Sequence, residues 1–267
     1  MTKCLIVDLG LIGYAEAFEL QKRVVAARKA DAIGDVLLLC EHPHVITLGR
    51  SGKRENLLAS ERVLAQKGVE LHETNRGGDI TYHGPGQIVG YPVIQLAAIR
   101  RDVVWYVRML EEVMIRACGD FGVVAGREEG KTGAWVSVAR RGAEEKKDLP
   151  QRAQSSQSLQ KIEAAAEKIG AIGVHISRWV TSHGFAFNVA TDLRYFELIV
   201  PCGIAERKAT SLEKVLGRAV KRNEAAPKIV EHFGEVFGRE PQQTTREELF
   251  AAVEKFEREQ QVVAVPA

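Results

Sequence analysis

An α+β fold, a mixed β-sheet flanked by helices, is what this sequence predicts, on three observations. Short apolar runs rich in β-branched residues are interleaved with amphipathic stretches. They do not recur as regular βαβ units, which argues against a doubly wound parallel sheet. The chain has 267 residues, 45% of them apolar and 27% charged, enough for one large domain. A chain of this size buries roughly 70–75% of its unfolded surface and needs no cross-link to hold it.

The elements follow in order. Cys4 to Leu9 is a short apolar run suited to a buried strand, and Ala15 to Arg28 has helical periodicity without Gly or Pro. Val36 to Cys40 and Val45 to Leu48 read as the next strands, the second following Pro43. Ser60 is placed to cap a short helix, ERVLAQ, that stops at Gly68. Val69 to Glu73 and Val89 to Leu96 are strand-like, and Val103 to Phe121 is an amphipathic helix. Strands are expected again at Val123–Val124, Ala134–Val138, Ile172–Ile176 and Phe185–Val189. The last third is helical: Ser211 to Leu216, Asn223 to Phe237, and Thr245 to Glu259, where Thr245 and Glu248 make a capping box. Residues 140–161 are charged, then rich in Gln and Ser, and supply no core. They read as a surface insertion, with a helix possible from Ser158 to Lys168. The expected organisation is a domain over 1–220 carrying that insertion, followed by a helical extension over 221–267 whose final residues are a disordered tail.

Lys+Arg exceed Asp+Glu by 37 − 35 = 2. So small a net charge gives no electrostatic case for nucleic acid or an anionic membrane, although it leaves room for a local basic patch. No run approaches 18 apolar residues, and the opening MTKCLIVDLG is interrupted by Asp8 too early for a signal peptide. Cys4, Cys40, Cys118 and Cys202 are far apart, without CxxC spacing. A reduced, cytoplasmic protein with free thiols is expected.

Several segments carry chemistry. Residues 125–132, AGREEGKT, match a relaxed phosphate loop. Two carboxylates, Glu128 and Glu129, would face the phosphates, and the following TGAWVSV is a strand where a helix N-terminus is needed. The segment reads as a turn between strands. His42 and His44 share one face of an extended segment, but two histidines make a poor zinc site, and two loop histidines are the favoured reading.

The strongest feature is Arg76 to Pro92, RGGDITYHGPGQIVGYP. Its five glycines, two prolines and the polar Arg76, Thr81, Tyr82, His83 and Gln87 suit a loop whose backbone closely approaches a ligand. The competing reading is a complicated hairpin. Lys168 leads into a strand punctuated by Gly170 and Gly173, a sign that something packs on its backbone. A lysine at a strand entrance is more often simply solvated. Cys202 sits between Pro201 and Gly203 after an apolar run. Such a turn either exposes a nucleophile or encloses an inert thiol. Cys4, Cys40 and Cys118 read as core.

Together these blocks resemble the lipoyl(octanoyl) transferase family, within the biotin/lipoate protein ligase superfamily. The resemblance rests on EHP-x-x-x-T-x-GR (Glu41 to Arg50), RGG-x-x-TYHGPGQ-x-x-x-YP (Arg76 to Pro92), K-I-x-x-x-G (Lys168 to Gly173), HG-x-A-x-N (His183 to Asn188) and PCGI (Pro201 to Ile204). It covers most of the chain, but not the charged segment 140–161 or the helices beyond about Lys221.

The resemblance implies the ligase-like α+β fold and a Cys/Lys dyad, carried over to Cys202 and Lys168. It implies an acyl pocket lined by Arg76, Gly77, Gly78, Asp79, Ile80, Thr81, Tyr82, His83, Ala171, Ile172, Gly173, Gly184, Phe185 and Ala186, with backbone N–H groups there for the oxyanion. The activity implied is transfer of octanoyl from octanoyl-acyl carrier protein to a lysine of lipoyl domains, those of 2-oxoacid dehydrogenase E2 subunits and the glycine cleavage H protein. It is the first step of endogenous protein lipoylation. No cofactor or metal, a monomer and a cytoplasmic location go with it.

The chemistry is coherent. An adjacent ammonium stabilises a thiolate whose ordinary pKa is about 8.5. Exchange of one thioester for another is nearly isoenergetic, so no ATP is required. Two alternatives stand beside it: an ATP-dependent lipoate–protein ligase, which needs no Cys202, and a non-catalytic acyl- or lipoyl-binding protein of the same fold.

Overall fold

The structure, a computed structural model, describes residues 2–137, 166–200 and 208–263. The chain opens with β1 (Thr2–Leu11), α1 (Tyr14–Lys29), β2 (Asp35–Glu41) and β3 (Val45–Leu48). Next come α2 (Glu61–Gln66), β4 (Glu70–Glu73), β5 (Ile80–His83), β6 (Gln87–Val93) and α3 (Val103–Asp120). β7 (Ala125–Gly126), β8 (Ala134–Ser137), β9 (Ala166–Ser177) and β10 (Val180–Asn188) follow. The chain then continues through α4 (Leu212–Leu216), α5 (Arg222–Phe237), β11 (Arg239–Gln243) and α6 (Arg246–Val263).

Among the described residues eight strands form one mixed sheet in the order β11-β1-β2-β6-β10-β9-β8-β7, and three form a second, β4-β3-β5. β1 runs parallel to β2 and to β11, whereas β2, β6, β10, β9 and β8 pair antiparallel in turn.

Period-two alternation builds two cores from one sheet. Cys4, Ile6, Leu37, Leu39, Ile88, Phe185 and Phe187 face one side, where α3 and α5 cover them with Leu110, Met114, Ile229 and Phe233. Val7, Leu38, Val89, Tyr91 and Ala186 face the other, where α1 and α6 supply Ala17, Leu20, Val24, Leu249 and Val253. Ile46, Leu48, Ile80 and Tyr82 form a third, smaller core on the second sheet.

The helix ends are capped as the sequence predicts. Ser60 Oγ accepts from Val63 N, and Thr245 and Glu248 close a reciprocal capping box at 3.1 Å in each direction.

The differences have physical reasons. The strand expected at Val123–Val124 lies at Ala125–Gly126 instead. The helix possible to Lys168 does not reach it: residues 166–168 begin β9, and the rest of that segment, like the whole 140–161 insertion, falls outside the described residues. β9 and β10 are longer than expected because glycines and alternating polar residues hide a hairpin in which Gly170 to Ser177 pair with Val180 to Phe187. The chain beyond 221 is not only helical. β11, REPQQ, joins the sheet edge beside β1, a place that tolerates Pro241 and needs no apolar pattern. Its helices pack into the same two cores. No described helix is long and apolar enough to cross a membrane.

Candidate active site

A cavity of ≈ 460 Å³ opens on the sheet face that carries Val89, Tyr91 and Ala186. Its far wall is the glycine-rich segment. Among the described residues, β8 pairs with β9 along Ala166 to Gly170. Further along β9, Gly77 N–H donates to Val174 O at 2.8 Å, docking the segment on the strand. Gly173 is required there, because a Cβ would lie 2.9 Å from Gly77 O and 3.0 Å from Arg76 Cδ. Gly184 is required on β10, where a Cβ would meet Gly90 O at 2.1 Å.

Most of the residues expected at the pocket line this cavity. Arg76, Gly77, Gly78, Asp79, Ile80, Thr81 and His83 form one wall, and Lys168, Ala171, Ile172, Gly173, Gly184, Phe185 and Ala186 the other. Tyr82 is the exception. Alternation along β5 turns it into the third core, where its hydroxyl meets His44 Nδ1 at 2.7 Å and its ring stacks on Tyr195. Cys202 lies in 201–207, outside the described residues.

The flanks of that segment are well tied. Val200 N–H donates to Asn56 O at 2.8 Å, and Asn56 Nδ2 donates to Asp79 Oδ2 at 2.7 Å. On the other side Lys168 N–H donates to Lys208 O at 3.0 Å, and Thr210 N–H donates to Lys168 O at 2.9 Å. Lys168 is half-buried, with Nζ 4.6 Å from the centre of the Trp135 ring.

A polar chain runs behind the cavity. Arg76, 7% exposed, donates from Nε and Nη2 to Thr47 Oγ1 at 3.2 and 2.9 Å, and from Nη2 to Thr47 O at 2.7 Å. Thr47 Oγ1 in turn faces His83 Nε2 at 3.5 Å, and His83 Nδ1 meets Gln87 Oε1 at 2.7 Å. Gln87 Nε2 donates to Asn188 Oδ1 at 2.9 Å, and Asn188 Nδ2 donates to Thr210 O at 2.9 Å. The Asn188 and Gln87 amides therefore orient His83 with its proton on Nδ1. Burial first, then the neighbouring His42, pushes the His83 pKa down to about 3, so the ring is neutral. His183 on β10, its Nε2 2.6 Å from Asn75 Oδ1, is lowered to about 3 by burial and then by the Arg76 charge.

His42 and His44 are held by protein partners. His42 Nδ1 donates to Ile12 O at 2.8 Å, its Nε2 accepts from Tyr91 Oη at 2.7 Å, and burial lowers its pKa. Cys4, Cys40 and Cys118 are buried. Burial pushes the Cys4 and Cys118 thiols up to about 12, and Cys40 further in the same direction.

Residues 125–132 form β7 and the turn that leads to β8, with Lys131 N–H donating to Glu128 O at 3.1 Å. No helix follows, so the phosphate-loop geometry is absent there. Gly130, Lys131 and Thr132 nonetheless line the cavity. Tyr14, Trp135, Phe196, Lys208 and Ala209 were also not anticipated at the cavity. No local motif marks them, because Tyr14, Trp135, Phe196 and the Lys208–Ala209 pair arrive from four separate parts of the chain. Asn188 was visible within the HG-x-A-x-N block, without a role assigned.

Chemically the cavity is an apolar slot with Lys168 among its lining residues and neutral imidazoles on its walls. Comparison with known proteins agrees. A family model described as the lipoyl protein ligase A/B catalytic domain matches residues 13–234. The chain is 49% identical over 242 residues to the octanoyltransferase of Acidobacterium capsulatum, covering 87% of this chain and 89% of that one. It is 46% identical over 237 residues to the octanoyltransferase of Solibacter usitatus, covering 89% and 94%. Among solved structures, a bipartite lipoate protein ligase of Thermoplasma acidophilum superposes with a TM-score of 0.69 at 14% identity, over 96% of this chain and 92% of that one. A lipoate-protein ligase A bound with ATP superposes with a TM-score of 0.65 at 15% identity, over 95% and 93%. At these identities the two structures show a shared fold.

Proposed function

The chain belongs to the lipoyl protein ligase A/B catalytic-domain family, and from that premise we propose that it is an octanoyltransferase working through an acyl-enzyme on Cys202. The donor is octanoyl-acyl carrier protein. The acceptors are lysines of lipoyl domains, in 2-oxoacid dehydrogenase E2 subunits and the glycine cleavage H protein. The observation that carries this reading is the cavity itself. Apolar side chains and close-packed glycine backbone enclose ≈ 460 Å³, with Lys168 in the lining. That volume suits a small acyl group, and burying its seven saturated carbons contributes about 5–6 kcal/mol at ~0.8 kcal/mol each.

In the first half-reaction Lys168 takes the Cys202 proton. The thiolate attacks the donor carbonyl, a new C–S bond forms and the carrier's C–S bond breaks. The carrier sulfur leaves with the Lys168 proton. In the second, the acceptor's neutral amine attacks the acyl-enzyme and Lys168 accepts its proton. The amide forms, the Cys202 C–S bond breaks and the proton returns to the sulfur. No bond of ATP is spent, because thioester exchange is nearly isoenergetic and amide formation runs downhill. The Gly77 N–H, already donated to Val174 O, is not available as an oxyanion donor.

The test is intact-mass spectrometry after mixing with octanoyl-acyl carrier protein without ATP. The expected result is a gain of one octanoyl group, removed by hydroxylamine and absent in Cys202→Ser. Absence of that gain, with an added lipoyl domain labelled only when octanoate and ATP are supplied, assigns the chain to the ligases instead.

A further inference from the structure

A second cavity of ≈ 300 Å³ opens between α1 and the β9–β10 hairpin. Among the described residues its lining includes Lys22, Lys29, His175 and Arg178 and no Asp or Glu. Lys22 is paired with Glu19. Lys29 and Arg178 have no ion-pair partner among the described residues. Burial first, then the Arg178 charge, lowers the Lys29 pKa.

Two further observations point to a ligand. Gln21, 1% exposed, lines the cavity. Its Oε1 accepts the His183 N–H, while its buried Nε2 has no acceptor. A buried amide donor left this way is destabilising unless something completes it. Arg178 and Trp179 form the two-residue turn between β9 and β10, with φ of 51° and 62°. That geometry favours Asn or Gly, so the turn does not account for an arginine there.

We propose that this cavity is a binding site for a phosphate-class dianion, held by Lys29, Arg178 and the Gln21 amide. Two positive charges match a dianion, and a forked guanidinium with an amide donor suits its several acceptor oxygens. Phe18 and Val25 on the wall, and a volume larger than a bare anion, leave room for a short organic substituent. The site is separate from the acyl cavity but shares its wall, because Asn75 lines this cavity while its partner His183 lines the other.

The experiment is titration of the intact chain with inorganic phosphate and with glycerol 3-phosphate, followed by ³¹P line broadening and calorimetry. Saturable binding is expected for at least one of them. Arg178→Asn, which suits the turn, and Gln21→Glu, which keeps the acceptor for His183 N–H but replaces the donor with an oxygen, should each weaken it about tenfold or more. Circular dichroism melts establish that both variants remain folded. Tighter binding of the ester supports an organic phosphate as the ligand, and equal affinity supports free phosphate. No saturable binding of either probe, or binding unchanged in both folded variants, would overturn the proposal.

Discussion

The backbone N–H of Thr210 donates to the carbonyl of Lys168 at 2.9 Å, clipping β9 to the chain that emerges from 201–207. Lys168 and Cys202 are 34 residues apart in sequence. This clip, with Lys168 N–H on Lys208 O, ties Lys168 to the chain that follows residue 207, and Asn188 supports it through Thr210 O.

Asn188→Leu should therefore affect both stability and transfer. Asn188 is 4% exposed, and its loss removes the Thr210 O donor and one Gln87 Nε2 acceptor. Each polar group left buried without a partner costs about 1–3 kcal/mol. Urea unfolding should show that loss, and the rate of acyl-enzyme formation should fall more than the donor KM rises. An unchanged rate in a destabilised but folded variant would confine Asn188 to a stabilising role.

Gly173→Ala tests the close approach of Arg76–Gly77 to β9. A Cβ 2.9 Å from Gly77 O must push the glycine-rich wall outward. Overpacking of this kind costs about 1–3 kcal/mol. Steady-state assays should show the donor KM rising about tenfold, the equivalent of about 1.4 kcal/mol. Denaturation should show a smaller loss than a deep core substitution.

The two neutral histidines predict acid sensitivity. His83 and His183 have folded pKa values near 3, against about 6.5 when unfolded. Above pH 6.5 both states carry neutral rings and nothing is lost. Between pH 6.5 and 3 the unfolded chain binds protons that the folded chain refuses, so stability falls by about 1.4 kcal/mol per pH unit for each histidine. Urea midpoints measured from pH 7 to pH 4 should decline, and His183→Gln should flatten the decline.

The thiols should separate by reactivity. Burial holds Cys4 and Cys118 at about 12, and Cys40 lies at 0% exposure. Iodoacetamide applied to the folded protein at pH 7 should give one adduct, mapped by peptide mass spectrometry to Cys202. Labelling of Cys202 only above pH 8, at the rate of an ordinary thiol, would argue against activation by Lys168.

The sequence by itself determined the mixed α+β class, the burial of Cys4, Cys40 and Cys118, and the glycine-rich segment Arg76 to Pro92 that forms one wall of the cavity. Those features are local. Alternation, caps and the glycines of Arg76 to Pro92 act within a few residues, so their chemistry can be read along the chain. The turn of Tyr82 away from the cavity into the third core is also local in cause, since β5 alternates. It was missed because the glycine-rich segment does not look like a strand.

Only the tertiary structure decided the rest. Tyr14, Trp135 and Lys208 reach the cavity from α1, β8 and the chain before α4, and nothing in their neighbours in sequence marks them. β11 is a strand because it pairs along the edge of β1, and Lys168 is held by Trp135 of β8 together with Lys208 and Thr210, which return beside it. Contacts between residues distant in sequence depend on where packing brings the chain back, and hydrogen bonds and burial set those positions after the local pattern has formed.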